Sequence, residues 1–265
     1  MTDRGSFIWY ELMTPDASGA AEFYGAVVGW KVIGSGIPDE NGIDYRQIVR
    51  ADGRANGGVL ALSPEMIAGG ARPGWIGYLY VPDIDTWITG ICADGGKLLM
   101  PKATIDVGSF ALVTDPQGVP FYIMTPIPPA GHEGEKSDAY DRFGNGHISW
   151  NELYTTDLDG AKAFYAKYFA FEFNTSMPMG DIGDYCFIDH QGEAVGAVMQ
   201  KPPHVPHAGW NYYIRVPDLG QSIAAINAHG GTVLHGPMPV PGDDWIVNGI
   251  DPQGASFALV SAKEG

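Results

Sequence analysis

Two cysteines in 265 residues, Cys92 and Cys186, are too few and too far apart for a disulfide framework or a metal knuckle. Basic residues are scarce as well: 15 Lys and Arg against 31 Asp and Glu leave a formal charge of −16. Nucleic acid and anionic membrane surfaces repel such a field, so neither is expected as a partner. No stretch comes near eighteen uninterrupted apolar residues, and nothing is expected to span a bilayer. The opening MTDRGSFIWYELM lacks the long apolar core and small-residue cleavage site of a signal peptide. With reduced cysteines, a cytoplasmic location is the simplest expectation. Histidine is missing before His132, so any histidine-based metal site must draw on the second half. Ser-His-Asp, Walker and Rossmann patterns are also absent, and the many glycines read as turns.

What remains is a globular composition, 45% apolar and only 17% charged, with a strong internal repeat. FIWYELMTPD (7–16) returns as ISWNELYTTD (148–157). Trp9 maps to Trp150, Glu11 to Glu152, Phe23 to Phe164 and Tyr24 to Tyr165, all at an offset of 141 (150 − 9). Further on, WIGYLYVPDID (75–85) matches WNYYIRVPDLG (210–220), and DPQGVPFYIM (115–124) matches DPQGASFALV (251–260). The sequence therefore predicts two duplicated domains, 1–126 and 146–265. The Pro-, Gly- and charge-rich stretch 127–145 joins them as a linker, with a solvated His132 inside it.

Each half is itself doubled. TPD (14–16) and VPD (81–83) both close a strand-like run and open a helical one. Ile84, Trp87, Ile88 and Ile91 follow the spacing of one buried helix face, as do Leu219, Ile223 and Ile226. The aspartates stand where an N-cap belongs, and Gly-Gly at 95–96 and 230–231 where a helix ends. Three strand-like runs follow each helix, with DPQG as a tight turn between strands. The expected fold is α+β: four βαβββ units in two tandem domains, with mostly antiparallel sheets.

These units, with TPDASGAAEFYGAVVGW, TTDLDGAKAFYAKYFAF and FALVTDPQGVPFYI, resemble the glyoxalase/bleomycin-resistance/extradiol dioxygenase, or vicinal oxygen chelate, superfamily over nearly the whole chain outside the linker. Within it, the chain looks most like tandem two-domain proteins labelled hydroxylase or glyoxalase-like. The resemblance implies sheets curled into a cup. Metal-dependent members hold a divalent ion there, with ligands near the start of each first strand and on each last strand. Counting from Asp16 and Asp157, the first-strand positions fall on Trp9 and Trp150, and their counterparts near Ile76 and Asn211. The last-strand positions fall near Leu60 or Ala61, Tyr122, Met199 or Gln200, and Ala258. None is His, Asp or Glu, so neither metal nor other cofactor is expected at the family's usual place.

Side chains two apart on a strand share a face, which puts Glu11 beside Trp9 and Glu152 beside Trp150. A carboxylate in an apolar cup must be hydrogen-bonded, paired or protonated. It either meets a ligand or acts as a general acid/base, or it simply bonds backbone and tyrosine hydroxyls in the core. Glu11 and Glu152 are thus the candidate catalytic residues. Tyr45, Trp75, Tyr78, Tyr185, Trp210 and Tyr213 complete a candidate aromatic binding set with Trp9 and Trp150. Taken singly, each reads more readily as ordinary core; as a set, without metal ligands, they favour a binding cup over a hydrolytic site. His204 and His207 lie in a Pro-rich loop, His229 ends a helix, and His147 precedes a strand; His190 and His235 complete the second-half set. The reading favoured is a small-molecule binding protein for an aromatic or cationic organic ligand, monomeric with an internal pseudo-dimer. The alternative is a metal-dependent lyase or dioxygenase of the same superfamily with a relocated site.

Overall fold

The computed structural model describes residues 4–128, 130–131 and 134–263, so His132 lies outside the described residues. The first sequence half contains β1 (Phe7–Thr14), α1 (Ala17–Val28), β2 (Lys31–Ile33), β3 (Tyr45–Val49) and β4 (Ala55–Ala61). A short α2 (Pro64–Ala68) leads to β5 (Gly74–Tyr80), α3 (Ile84–Ala93), β6 (Lys97–Ile105), β7 (Gly108–Thr114) and β8 (Pro120–Pro126). The second half repeats the plan as β9 (Ile148–Thr155), α4 (Leu158–Phe169), β10 (Ser176–Pro178), β11 (Asp184–His190) and β12 (Glu193–Gln200). It ends with β13 (Gly209–Arg215), α5 (Leu219–Ala228), β14 (Thr232–Val240), β15 (Asp244–Ile250) and β16 (Ser256–Ser261). The four expected βαβββ units are all present.

Each long helix begins at the aspartate the sequence marks for it. Asp16, Asp83, Asp157 and Asp218 each accept a backbone N–H three residues on, from Gly19, Thr86, Gly160 and Gln221, at 2.9–3.0 Å. The helices α1 and α4 stop at left-handed Gly29 and Ala170, and their buried stripes carry the Phe23-Tyr24 and Phe164-Tyr165 pairs.

Two eight-stranded sheets form, ordered β2-β3-β4-β1-β5-β8-β7-β6 and β10-β11-β12-β9-β13-β16-β15-β14. Within each repeat the first strand pairs in parallel with the last, β1 with β4 and β9 with β12 among them, while the other pairings are antiparallel. The parallel register sets Glu11 opposite Gly58 and Glu152 opposite Ala197.

The chain also packs as two compact units that do not follow the sequence halves. One unit comprises residues 1–8, 76–138 and 151–210; the other comprises 9–75, 139–150 and 211–265. Each unit takes one repeat from each half. In the first, Phe121, Phe164, Tyr165, Phe169 and Phe171 form an aromatic core, with Phe121 and Phe169 edge-to-face at 5.4 Å. In the second, Phe23 meets Phe257 at 5.6 Å and Tyr10 meets Tyr212 at 5.2 Å, while Ser222 on α5 donates to the Val27 carbonyl of α1. The stretch whose composition reads as a linker is held in its last part, where Asp141 Oδ1 accepts the N–H groups of Phe143 at 2.8 Å and Gly144 at 3.0 Å. Just beyond it, Gly146 offers its carbonyl to Trp30 Nε1 at 2.8 Å and Asn56 Nδ2 at 2.9 Å within the second unit.

Candidate functional site

In the second unit the indole of Trp9 donates to Tyr45 Oη at 2.7 Å. The Tyr45 ring can take that place because Gly58 has no side chain: a Cβ there would sit 2.1 Å from the phenol oxygen. Glu11, in register with Gly58, is 2% exposed, whereas Tyr45 is 40% exposed. Trp9, Glu11 and Tyr45 therefore gather as the sequence suggested, through strand alternation and the parallel pairing of β1 with β4.

Trp150 is half-buried in the same unit and, like Ile246, packs against the buried cluster of Tyr213, Ala258 and Val260. The Arg142 guanidinium lies over its ring, 5.3 Å from the centroid. In the same unit, Asn211 Nδ2 donates to Asn248 Oδ1 at 3.1 Å.

In the first unit Glu152 is 5% exposed and accepts the Tyr185 hydroxyl at 2.8 Å. Phe187 sits edge-on to Tyr185 at 5.6 Å. Here Ala197 stands where the other repeat has Gly58, and the Tyr185 hydroxyl reaches the carboxylate. Tyr78 stacks on Tyr122 at 4.3 Å and 17°, with Phe110 edge-on to Tyr122 at 5.9 Å.

Trp75 and Trp210 lead elsewhere. Trp75 Nε1 donates to Tyr24 Oη at 3.0 Å, and Tyr24 donates onward to Asp251 Oδ2 at 3.1 Å. Trp210 Nε1 donates to Tyr165 Oη at 3.1 Å, and Tyr165 donates to Asp115 Oδ2 at 3.2 Å. Each aspartate also holds its own turn, with Oδ1 accepting two backbone N–H groups. Burial pushes both carboxyls above the usual aspartate value, against the pull of those backbone bonds and the tyrosine. Burial, and then the Asp251 charge, push the Tyr24 phenol well up. These two relays are structural joints, one in each unit. All six residues lie in the repeated motifs of the sequence, but nothing in those motifs connects the Phe-Tyr tyrosine with the DPQG aspartate of the opposite half.

The positions where a metal ligand would be sought carry Trp9, committed to Tyr45, and the buried Ile76 and Ala258. Tyr122 is stacked and Asn211 is bonded to Asn248. Among the described residues no three His, Cys, Asp or Glu side chains group so as to hold an ion. The histidines are dispersed. His190 donates to the Arg4 carbonyl at 2.9 Å, His229 closes its helix on the Ala225 carbonyl, and His204 and His207 are exposed. This donor set does not fit the divalent ion of metal-dependent relatives.

Residues 145–259 match the family model described as "Glyoxalase/Bleomycin resistance protein/Dioxygenase superfamily". Over 259 residues the chain is 28% identical to "Putative glyoxylase CFP32" of Mycobacterium bovis, spanning 97% of this chain and 95% of that protein. It is 24% identical to "Anthracycline biosynthesis protein DnrV" of Streptomyces peucetius over 281 residues, 98% of this chain and 94% of that one. Among solved structures, the Mn(II)-bound glyoxalase from Novosphingobium aromaticivorans superposes with a TM-score of 0.63 at 16% identity, covering 98% of this chain and 83% of that one. The 2,3-dioxygenase LapB from Pseudomonas sp. KL28 superposes at 0.62 and 13%, covering 98% and 93%.

Proposed function

We propose that this chain, whose residues 145–259 match the glyoxalase/bleomycin resistance protein/dioxygenase superfamily model, binds a small aromatic organic molecule without a metal ion. The observation that carries this reading is the replacement at the first-strand positions. Trp9 and Trp150 stand there with their rings engaged by Tyr45 and Arg142, next to the buried carboxylates Glu11 and Glu152. Flat rings stacked against indole and phenol faces are the ligands such a lining suits, and a carboxylate held by a tyrosine supplies a polar anchor. Two relatives are named for anthracycline biosynthesis, and anthracyclines are flat polyaromatic molecules.

Metal-dependent chemistry is the second reading, supported by the fold shared with a Mn(II)-bound glyoxalase and by the two buried carboxylates. Elemental analysis separates the two. Untagged protein, purified without chelator and challenged with Fe(II), Mn, Ni and Zn, is expected to stay substoichiometric in metal. Retention of about one ion per half, lost in Glu11→Gln or Glu152→Gln, would overturn the metal-free reading.

A further inference from the structure

We propose that Asn211 and Asn248 recognise the polar edge of the bound molecule, and that this edge is an amide: a carbonyl acceptor beside an N–H donor, as in a carboxamide or lactam carried on an aromatic ring. The inference rests on the small-molecule reading above and names the group recognised in the second unit. Strand register places the pair. Residues paired across adjacent strands share a face of the sheet. In the second sheet Tyr213 of β13 pairs with Ala258 of β16, Ala258 with Asn248 of β15, and Asn248 with His235 of β14. Asn211 stands two residues before Tyr213 on β13 and so joins the same face. On that face Trp150 packs against the cluster that holds Tyr213 and Ala258.

The first sheet is built on the same plan with different side chains. There Tyr78 pairs with Tyr122, Tyr122 with Leu112 and Leu112 with Met100, while Ile76 stands two residues before Tyr78. Asn211, Asn248 and His235 thus hold in the second sheet the places of Ile76, Leu112 and Met100 in the first. Apolar side chains serve the fold at those places, so the fold itself does not call for polar ones. The bond between the two asparagines fixes what they offer. Asn211 Nδ2 donates to Asn248 Oδ1 at 3.1 Å, and among the described residues neither Asn211 Oδ1 nor Asn248 Nδ2 has a hydrogen bond within the protein. Both side chains are half-buried, whereas His235, exposed at the end of the row, turns to Met238 Sδ at 2.7 Å. Each amide orients the other, so one acceptor and one donor stand side by side on a rigid strand wall. A ligand amide matches them, its N–H to Asn211 Oδ1 and its carbonyl to Asn248 Nδ2. A carboxylate offers acceptors alone and an ammonium donors alone, so each leaves one of the two atoms mismatched.

Isothermal calorimetry on the full-length protein with 2-naphthamide and 2-acetonaphthone tests this. Both probes carry the ring and the carbonyl, and only the amide carries the N–H. The naphthamide is expected to bind roughly tenfold tighter. Asn211→Ile and Asn248→Leu, which install the residues of the first sheet, should each bring the two probes to equal affinity. Asn248→Asp keeps the oxygen that Asn211 holds and exchanges the donor for an acceptor, so it should weaken both probes through their shared carbonyl. Equal affinity of wild type for the two probes, a preference that survives Asn211→Ile and Asn248→Leu, or unchanged affinities in Asn248→Asp overturns the proposal while the binding reading stands. Failure of both probes to bind wild type sinks the binding reading and this inference with it.

Discussion

The phenol of Tyr24, in the first sequence half, donates at 3.1 Å to the carboxylate of Asp251, 227 positions later in the second. Tyr165 reaches back from the second half to Asp115 in the same way. Each compact unit is closed by one such bond and by the tryptophan that feeds it, so the duplicated motifs complete one another across the halves.

Replacing Tyr24 or Tyr165 with phenylalanine should therefore destabilise the protein without altering its shape. The change strips a hydrogen bond from a buried aspartate and another from an indole N–H, costing about 1–3 kcal/mol per variant. Urea unfolding should show a lower midpoint at unchanged slope. A cost near zero would mean that these relays do not hold the units together.

The two aspartates give a pH dependence with a definite sign. Their folded pKa values lie above the ordinary 3.8, so the folded chain holds these protons more tightly than the unfolded chain does. The resulting contribution is complete below 3.8 and is lost as pH rises through the raised values. The stability of wild type relative to Asp251→Asn should accordingly fall as pH climbs out of the acid range, then level off. Chemical denaturation at stepped pH reads this difference; a relative gain with rising pH would refute the assignment.

Glycines on the parallel strands should split into two classes. In Gly58→Ala the new Cβ meets the end of the part-exposed Tyr45 ring, which can swing away. The expected cost is about 1 kcal/mol or less. Tyr45 should then no longer accept from the Trp9 indole, and its ring should be nitrated faster. In Gly196→Ala the Cβ would stand 1.9 Å from the Asn151 carbonyl oxygen, which is strand backbone. That variant should lose about 3 kcal/mol or more. Thermal melts of the pair test the order.

Glu152 and Tyr185 separate stability from binding. Tyr185→Phe removes the 2.8 Å bond to a nearly buried carboxylate and should cost about 1–2 kcal/mol. Glu152→Gln keeps an acceptor for Tyr185, so its stability should stay within about 1 kcal/mol of wild type. If the carboxylate anchors a ligand, calorimetry with 1-naphthylmethylammonium should nonetheless show weaker binding to Glu152→Gln. Unchanged affinity would return Glu152 to a purely structural role.

Much of this was legible in the chain. The 141-residue offset, the four aspartate caps and the period of the apolar positions announced four βαβββ repeats, because capping and periodicity act within a few residues. Strand alternation also placed Glu11 beside Trp9 and Glu152 beside Trp150. Arg142 was hidden because Pro, Gly and charge make a stretch read as a tether, and composition does not reveal that Arg215 and Asp141 hold the loop.

By itself, then, the sequence determined the repeats, their element order and the faces shared by carboxylate and indole. Only the tertiary structure decided which tyrosine meets which aspartate, that Tyr45 lies over Gly58 while Tyr185 turns to Glu152, and that Trp75 and Trp210 donate to Tyr24 and Tyr165. Those outcomes depend on strand register and on residues brought together from far apart in the chain. No local propensity encodes such pairings; they are settled by whichever packing buries the aromatic faces and satisfies the buried polar atoms together.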